Sequence, residues 1–302
     1  MTKETGTGDM TMTDGQPVVL AERLGKRYRR GWALRDCSLR VPAGRMVGLV
    51  GPNGAGKSTF LGLLTGLLRP GAGRVEVCGT EPSGRHPDPR ISFLSQGKPL
   101  YPQFTVEDQL RFGRSANPTW DQAHAEEFLA RGHVPAGARI GTLSGGQRIW
   151  VALAVALGTR PRLVLLDEPL ADLDPVARRS VLAALAQQRQ RHGTTVVLSS
   201  HVLAELEEVC DHLLLFAAGR VRLAGDVREL LAGHSVLSGP RTGPIPVPAR
   251  CVVDAAKTGH GTQLLVSPGP AALADPAWRH RPPTLTQLAL GYLRSAHQEV
   301  AA

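Results

Sequence analysis

Gly51-Pro52-Asn53-Gly54-Ala55-Gly56-Lys57-Ser58-Thr59 fits the phosphate-loop pattern G-x-x-x-x-G-K-[ST] at every fixed position. Its flanks fit as well. Residues 45–50, Arg-Met-Val-Gly-Leu-Val, form a short apolar run that reads as a buried strand. Residues 57–64 carry an apolar stripe at helical spacing. Strand, glycine loop and helix together make the geometry the pattern needs; a chance glycine-rich turn would not carry both flanks. Gly51, Gly54 and Gly56 lack a Cβ, so the backbone can wrap closely around a phosphate. The loop N–H groups and the helix start then face the anion together. Lys57 adds a point charge between β- and γ-phosphates, and Ser58 offers a hydroxyl to Mg²⁺.

Downstream of this loop, three polar groups stand at the ends of apolar runs, where ligands collect in α/β sheets. Residues 91–94 read as a strand that ends at Ser95-Gln96. Residues 163–166, Leu-Val-Leu-Leu, read as a central parallel strand that ends in Asp167-Glu168-Pro169. Two adjacent carboxylates there are costly unless charge or solvent offsets them, and Mg²⁺ would do so. Asp167 suits the metal, and Glu168, pointing the other way, suits a general base. The plainer alternative is an acid pair capping the next helix. Residues 194–198 form another core strand, ending at Ser199-Ser200-His201.

Between these strands, residues 99–160 turn helical, with apolar spacing over 106–112 and 122–129. Leu143-Ser144-Gly145-Gly146-Gln147 precedes an apolar helix over 149–157. Ser144 is a natural N-cap, and the two glycines leave N–H groups exposed at a helix start, a second anion site beside the plain reading of a capped helix. Residues 171–174, Ala-Asp-Leu-Asp, open a further helix.

The whole-chain totals limit the function classes. The 302 residues hold one large domain with an extension, or two small ones, and 42% hydrophobic content supports a real core. The net charge of +9 is dispersed and aromatics are 4%, so no basic-aromatic patch marks a nucleic-acid site. A basic face is also attracted to anionic lipid. Cys37, Cys78, Cys210 and Cys251 are widely spaced, as expected for reduced thiols in the cytosol. No apolar run reaches membrane-span length, and the N-terminus lacks a signal-peptide order. Residues 1–16 read as a disordered tail, residues 18–20 and 34–41 as early strands, and residues 233–249, rich in Gly, Pro, Ser and Arg, as a boundary. Beyond it lie two weak strands, 251–253 and 264–266, and a closing helix over about 285–296.

With these motifs in this order, residues 18–231 resemble the ATP-binding cassette (ABC) family. The Leu143–Gln147 stretch lying between the phosphate loop and Asp167-Glu168 is the specific part. The resemblance implies an α/β phosphate-loop core with a mostly parallel sheet. It also implies an N-terminal antiparallel β subdomain, a helical subdomain over about 99–160 that carries the signature, and a small C-terminal extension. The domain bounds expected are 17–232 for the nucleotide-binding unit and 233–302 for the extension. ATP and Mg²⁺ are the implied cofactors. Gln96 looks like the residue that contacts metal and water, Asp172 and Asp174 fall in the D-loop, and His201 looks like the histidine that touches the γ-phosphate. Tyr28 stands where the family stacks adenine. Ser144, Gly145, Gly146 and Gln147 would meet the γ-phosphate held by a second copy's Lys57. A membrane permease is the other implied partner; no nucleic acid is expected. The expected location is the cytoplasmic face of the cell membrane.

Within the family the chain is most similar to ATPases of ABC-2-type exporters, by its single cassette, the Tyr101–Val106 stretch after Gln96 and the terminal helix. An importer ATPase, or a cassette acting on nucleic acid or the ribosome, are the alternatives. Ile149-Trp150 departs from the more usual basic and polar residues after the signature, and the segment between Gln96 and Ser144 is compact. All nucleotide motifs precede residue 233, so the extension is expected to be dispensable for ATP binding.

Overall fold

The computed structural model describes residues 16–301, except 30, 172, 243, 260 and 270–274. The expected disordered tail and the D-loop residue Asp172 therefore lie outside the described residues, Gln16 excepted. The chain opens with β1 (Pro17–Tyr28) and β2 (Gly31–Pro42), then β3 (Met46–Val50), α1 (Lys57–Leu64), β4 (Ala72–Val77) and β5 (Ile91–Leu94). Helices α2 (Val106–Ala116), α3 (Gln122–Arg131) and α4 (Gly145–Leu157) follow. Next come β6 (Leu163–Leu166), α5 (Pro175–His192), β7 (Thr195–Ser200), α6 (Leu203–Glu207), β8 (His212–Ala217), β9 (Arg220–Asp226) and α7 (Val227–Ala232). The last part holds β10 (Ser235–Gly239), β11 (Val252–Thr258), β12 (Gly261–Val266), β13 (Arg279–Arg281) and α8 (Leu285–Ala301).

The central sheet has six strands in the order β5-β6-β7-β3-β8-β9, parallel except for the antiparallel edge strand β9. Every residue of β3, β6, β7 and β8 is buried. That explains their unbroken apolar runs, because a parallel strand is covered on both faces. An antiparallel sheet, β2-β1-β4, packs on one side. Its Leu24 and Leu34 share a core with Val47, Phe60 and Phe216, and the last two rings stand 5.2 Å apart. On the other side α2, α3 and α4 form a helical unit. Thr105 and Asp108 close a capping box on α2, and Ser144 and Gln147 do the same on α4.

Ile149 and Trp150 are buried on α4. Their apolar character has a packing reason: the Trp150 ring lies over Gly132, where an added Cβ would approach it to 2.3 Å. All four cysteines are free, and burial pushes the Cys210 thiol up to about 12.

The C-terminal part is richer than its sequence reading. Two strands were expected, and the structure has a four-stranded antiparallel sheet in the order β11-β12-β10-β13. Strand β10 falls inside the stretch read as a boundary. Its Ser and Gly residues hide two buried core positions, Val236 and Leu237. Strand β13, Arg-His-Arg, is fully exposed at the sheet edge, so it carries no apolar alternation to find.

Helix α8 packs onto more than this sheet. Leu285, Leu288 and Ala289 join one core with Leu203 and Leu206 of α6 and Val227 of α7. The Glu207 carboxylate accepts the Leu285 backbone N–H at 2.9 Å and the Thr286 hydroxyl at 3.1 Å, which caps the start of α8. Among the described residues, no helix is long and apolar enough to cross a membrane.

Candidate functional site

The four adjacent strands β5, β6, β7 and β3 run in one direction, so their C-terminal ends meet along one edge of the sheet. Each of those ends delivers a residue singled out from the sequence: Gln96, Asp167-Glu168, His201 and the 51–59 loop. A cleft of about 470 Å³ opens there. Asn53, Gly54, Ala55, Gly56, Lys57, Ser58, Thr59, Gln96, Glu168 and His201 line it, with Ala33 and Ala171. Gly51 and Pro52 are not among the lining residues.

The glycines do specific work in this loop. A Cβ on Gly51 would lie 2.3 Å from the Phe216 carbonyl oxygen. Gly56 has φ +104, and a Cβ there would strike Leu34 at 2.5 Å. Gly56 is the N-cap of α1 and offers no side-chain cap, so the first N–H groups of this helix face the cleft without one. That is the arrangement a phosphate satisfies.

Lys57 is buried, and its Nζ donates to the Gly51 carbonyl at 2.7 Å and the Pro52 carbonyl at 3.4 Å. It also stands 3.6 Å from Glu168 Oε1. Glu168 Oε2 lies 2.9 Å from His201 Nδ1. One carboxylate thus sits between the loop lysine and the histidine, with its side chain 12% exposed. Asp167, 4% exposed, stays behind the cleft lining, with Oδ1 accepting the Ser199 hydroxyl at 2.7 Å. Ser58 and Gln96 line the cleft and Asp167 lies behind its lining; their hydroxyl, amide and carboxylate oxygens are the donor types that a hard cation such as Mg²⁺ takes.

The other predicted residues are not gathered here. Ser144, Gly145, Gly146 and Gln147 lie at the start of α4, outside this cleft. The Ser144 hydroxyl accepts the Gln147 N–H, and the Gln147 side chain accepts the Ser144 N–H, both at 3.1 Å. Gly145 lines a second cleft, which shares Gln96 and Ala171 with the first. Asp174 accepts the N–H groups of Val176 and Ala177 at 2.9 Å, so it caps α5. Tyr28 ends β1 and is 46% exposed; it does not line the cleft. The residue missed by the sequence reading is Ser199. In the sequence it reads only as part of a strand end, and its partners, Asp167 and Glu168, follow another strand.

Fold and cleft together define a phosphate-loop nucleotide-binding unit with a carboxylate and a histidine facing the phosphate end. The profile described as "ABC transporter" matches residues 34–171. The chain is 39% identical over 214 residues to the Nod factor export ATP-binding protein I of Burkholderia lata, covering 68% of this chain and 70% of that protein. It is 38% identical to the aliphatic sulfonates import ATP-binding protein SsuB of an Escherichia coli strain, covering 70% and 82%. A solved dimeric ATP-binding cassette, in a post-hydrolysis state bound to ADP and Pi, superposes with a TM-score of 0.61. It is 26% identical, with 70% of this chain and 99% of that chain covered. This chain belongs to the ABC transporter family, as an ATP-binding subunit. ATP hydrolysis is the activity that this domain implies.

Proposed function

We propose that the chain is the Mg²⁺-dependent, ATP-hydrolysing subunit of an export transporter. It works as a symmetric pair at the inner face of the membrane, beneath a separate permease. The observation that carries the paired reading is the separation of the two anion sites. Lys57 and Gly145 at the start of α4 line different clefts, which share Gln96 and Ala171, and this supports a site completed by a second copy. Both halves are intact here, and two copies related by a two-fold axis would supply one half each to two sites. The dimeric relative with ADP and Pi supports this reading. The Nod factor relative supports export. Import is the second reading, favoured by the sulfonate relative. A neighbouring permease gene without a solute-binding protein would favour export.

In this reading the loop N–H groups and Lys57 bind the β- and γ-phosphates, and Ser58, Gln96 and Asp167 would hold Mg²⁺. When bound, Mg²⁺ would offset phosphate charge. Glu168 orients a water in line with the γ-phosphate and accepts its proton as the oxygen attacks phosphorus, while the bond from phosphorus to the β-phosphate oxygen breaks and ADP leaves. His201, already bonded to Glu168, braces the γ-phosphate and keeps the carboxylate aimed. Tyr28 stacks on adenine, as its position in the family pattern implies.

Ser144→Arg tests the pairing. The variant is expected to bind ATP as a monomer nearly as well as the parent chain and to lose hydrolysis. Equilibrium nucleotide binding and phosphate release measure the two separately, and normal hydrolysis by this variant refutes the shared site.

A further inference from the structure

Ser199 is buried behind the cleft lining, 1% exposed, near the end of β7. The parallel register pairs Leu166 with Leu198, so Ser199 stands beside Asp167. Its hydroxyl makes two short contacts. The Glu168 backbone N–H reaches Ser199 Oγ at 2.7 Å, and Ser199 Oγ lies 2.7 Å from Asp167 Oδ1. Their directions follow from chemistry. A backbone N–H can only donate, so the serine oxygen accepts there. Its single proton then goes to the Asp167 carboxylate.

This matters because of the backbone that the bond holds. Glu168 has φ +48, the left-handed region, which a residue with a Cβ occupies only when its surroundings impose it. That turn carries the Glu168 side chain away from the strand direction and onto Lys57 and His201. The adjacent serine offers no substitute. The Ser200 hydroxyl is engaged with the Val202 backbone, accepting its N–H at 2.9 Å.

We propose that Ser199 is a positioning residue for hydrolysis. Its one hydroxyl pins the Glu168 backbone in the conformation that aims the carboxylate, and it fixes one oxygen of Asp167 at the same time. The two carboxylates at the end of β6 are thereby locked into different directions by a side chain from the neighbouring strand. The proposal rests on Glu168 acting as the general base.

The test compares steady-state ATP hydrolysis, nucleotide binding and melting of the full chain with Ser199→Ala, Ser199→Thr and, in parallel, Glu168→Gln. Ser199→Ala leaves the Glu168 N–H without its partner. Its kcat is expected to fall by about tenfold while KM changes by less than about twofold. Ser199→Thr keeps the hydroxyl and should recover most of the rate. If Ser199→Ala does not fold, Ser199→Cys keeps the volume with a much weaker donor and should show the same split. Parent-like kcat in Ser199→Ala overturns the proposal. So does an equal loss in the Ala and Thr variants that tracks a lower melting temperature, since that is packing alone. If Glu168→Gln itself turns over normally, the general-base reading fails. If it stops turnover while Ser199→Ala does not slow it, only the positioning role fails.

Discussion

The central sheet and the C-terminal sheet are both covered by helices, yet only one of them gathers chemistry. In the central sheet β5, β6, β7 and β3 point the same way, so every strand end arrives at one edge. Gln96, Glu168, His201 and the phosphate loop meet there because parallel strands bring them there. In the sheet of β10–β13 every pairing is antiparallel, so successive ends alternate between two edges. Its one buried carboxylate, Asp254, sits within a strand under α8. There Arg294 holds Asp254 Oδ2 through two nitrogens, at 2.9 and 2.6 Å. Parallel alignment concentrates reactive ends, and antiparallel alignment here spends its polar residue on packing a helix.

The largest expected effect breaks the comparison at its active edge. Glu168→Gln should lower turnover by roughly two orders of magnitude or more and leave binding intact. It should also give an ATP-bound dimer, visible by gel filtration with Mg²⁺-ATP. Turnover near the parent rate would move the base elsewhere, with His201 the leading candidate.

The next effect concerns the other sheet. A chain ending at residue 234 keeps every nucleotide motif but strips α8 from Leu203, Leu206 and Val227. Burying one such aliphatic side chain is worth about 1.5–3 kcal/mol, so uncovering even one should lower the melting temperature by about 3–12 °C. ATP binding measured well below that temperature should persist. An unchanged melting temperature would make α8 an appendage rather than part of the cassette's core.

The smallest effect is expected at Tyr28. Stacking on adenine is worth on the order of 1 kcal/mol, so Tyr28→Ala should weaken ATP binding several-fold and Tyr28→Trp should preserve it. Equal affinities in both variants would leave Tyr28 as a surface residue of β1.

The sequence was most legible where local chemistry and tertiary role coincide. The glycine loop, the Ser144 cap and the apolar run of β6 each carry their own signal within a few residues. Legibility failed where the partner is distant. Ser199 reads as an ordinary strand end until β6 is set beside it. Val236 and Leu237 are hidden among Ser and Gly until β12 pairs with them. The Gln147 and Asp174 side chains, read as ligands from the sequence, hold helix starts in the structure, a purpose their motif positions do not reveal.

The Glu207 cap on α8 joins residues 78 positions apart. Chains are synthesised from the N-terminus at roughly 5–20 residues per second, so α6 exists for several seconds before its partner does. During that interval Leu203 and Leu206 have no cover from α8, although every nucleotide motif has already been made. The newborn cassette thus carries all of its nucleotide motifs and an incomplete apolar surface at once.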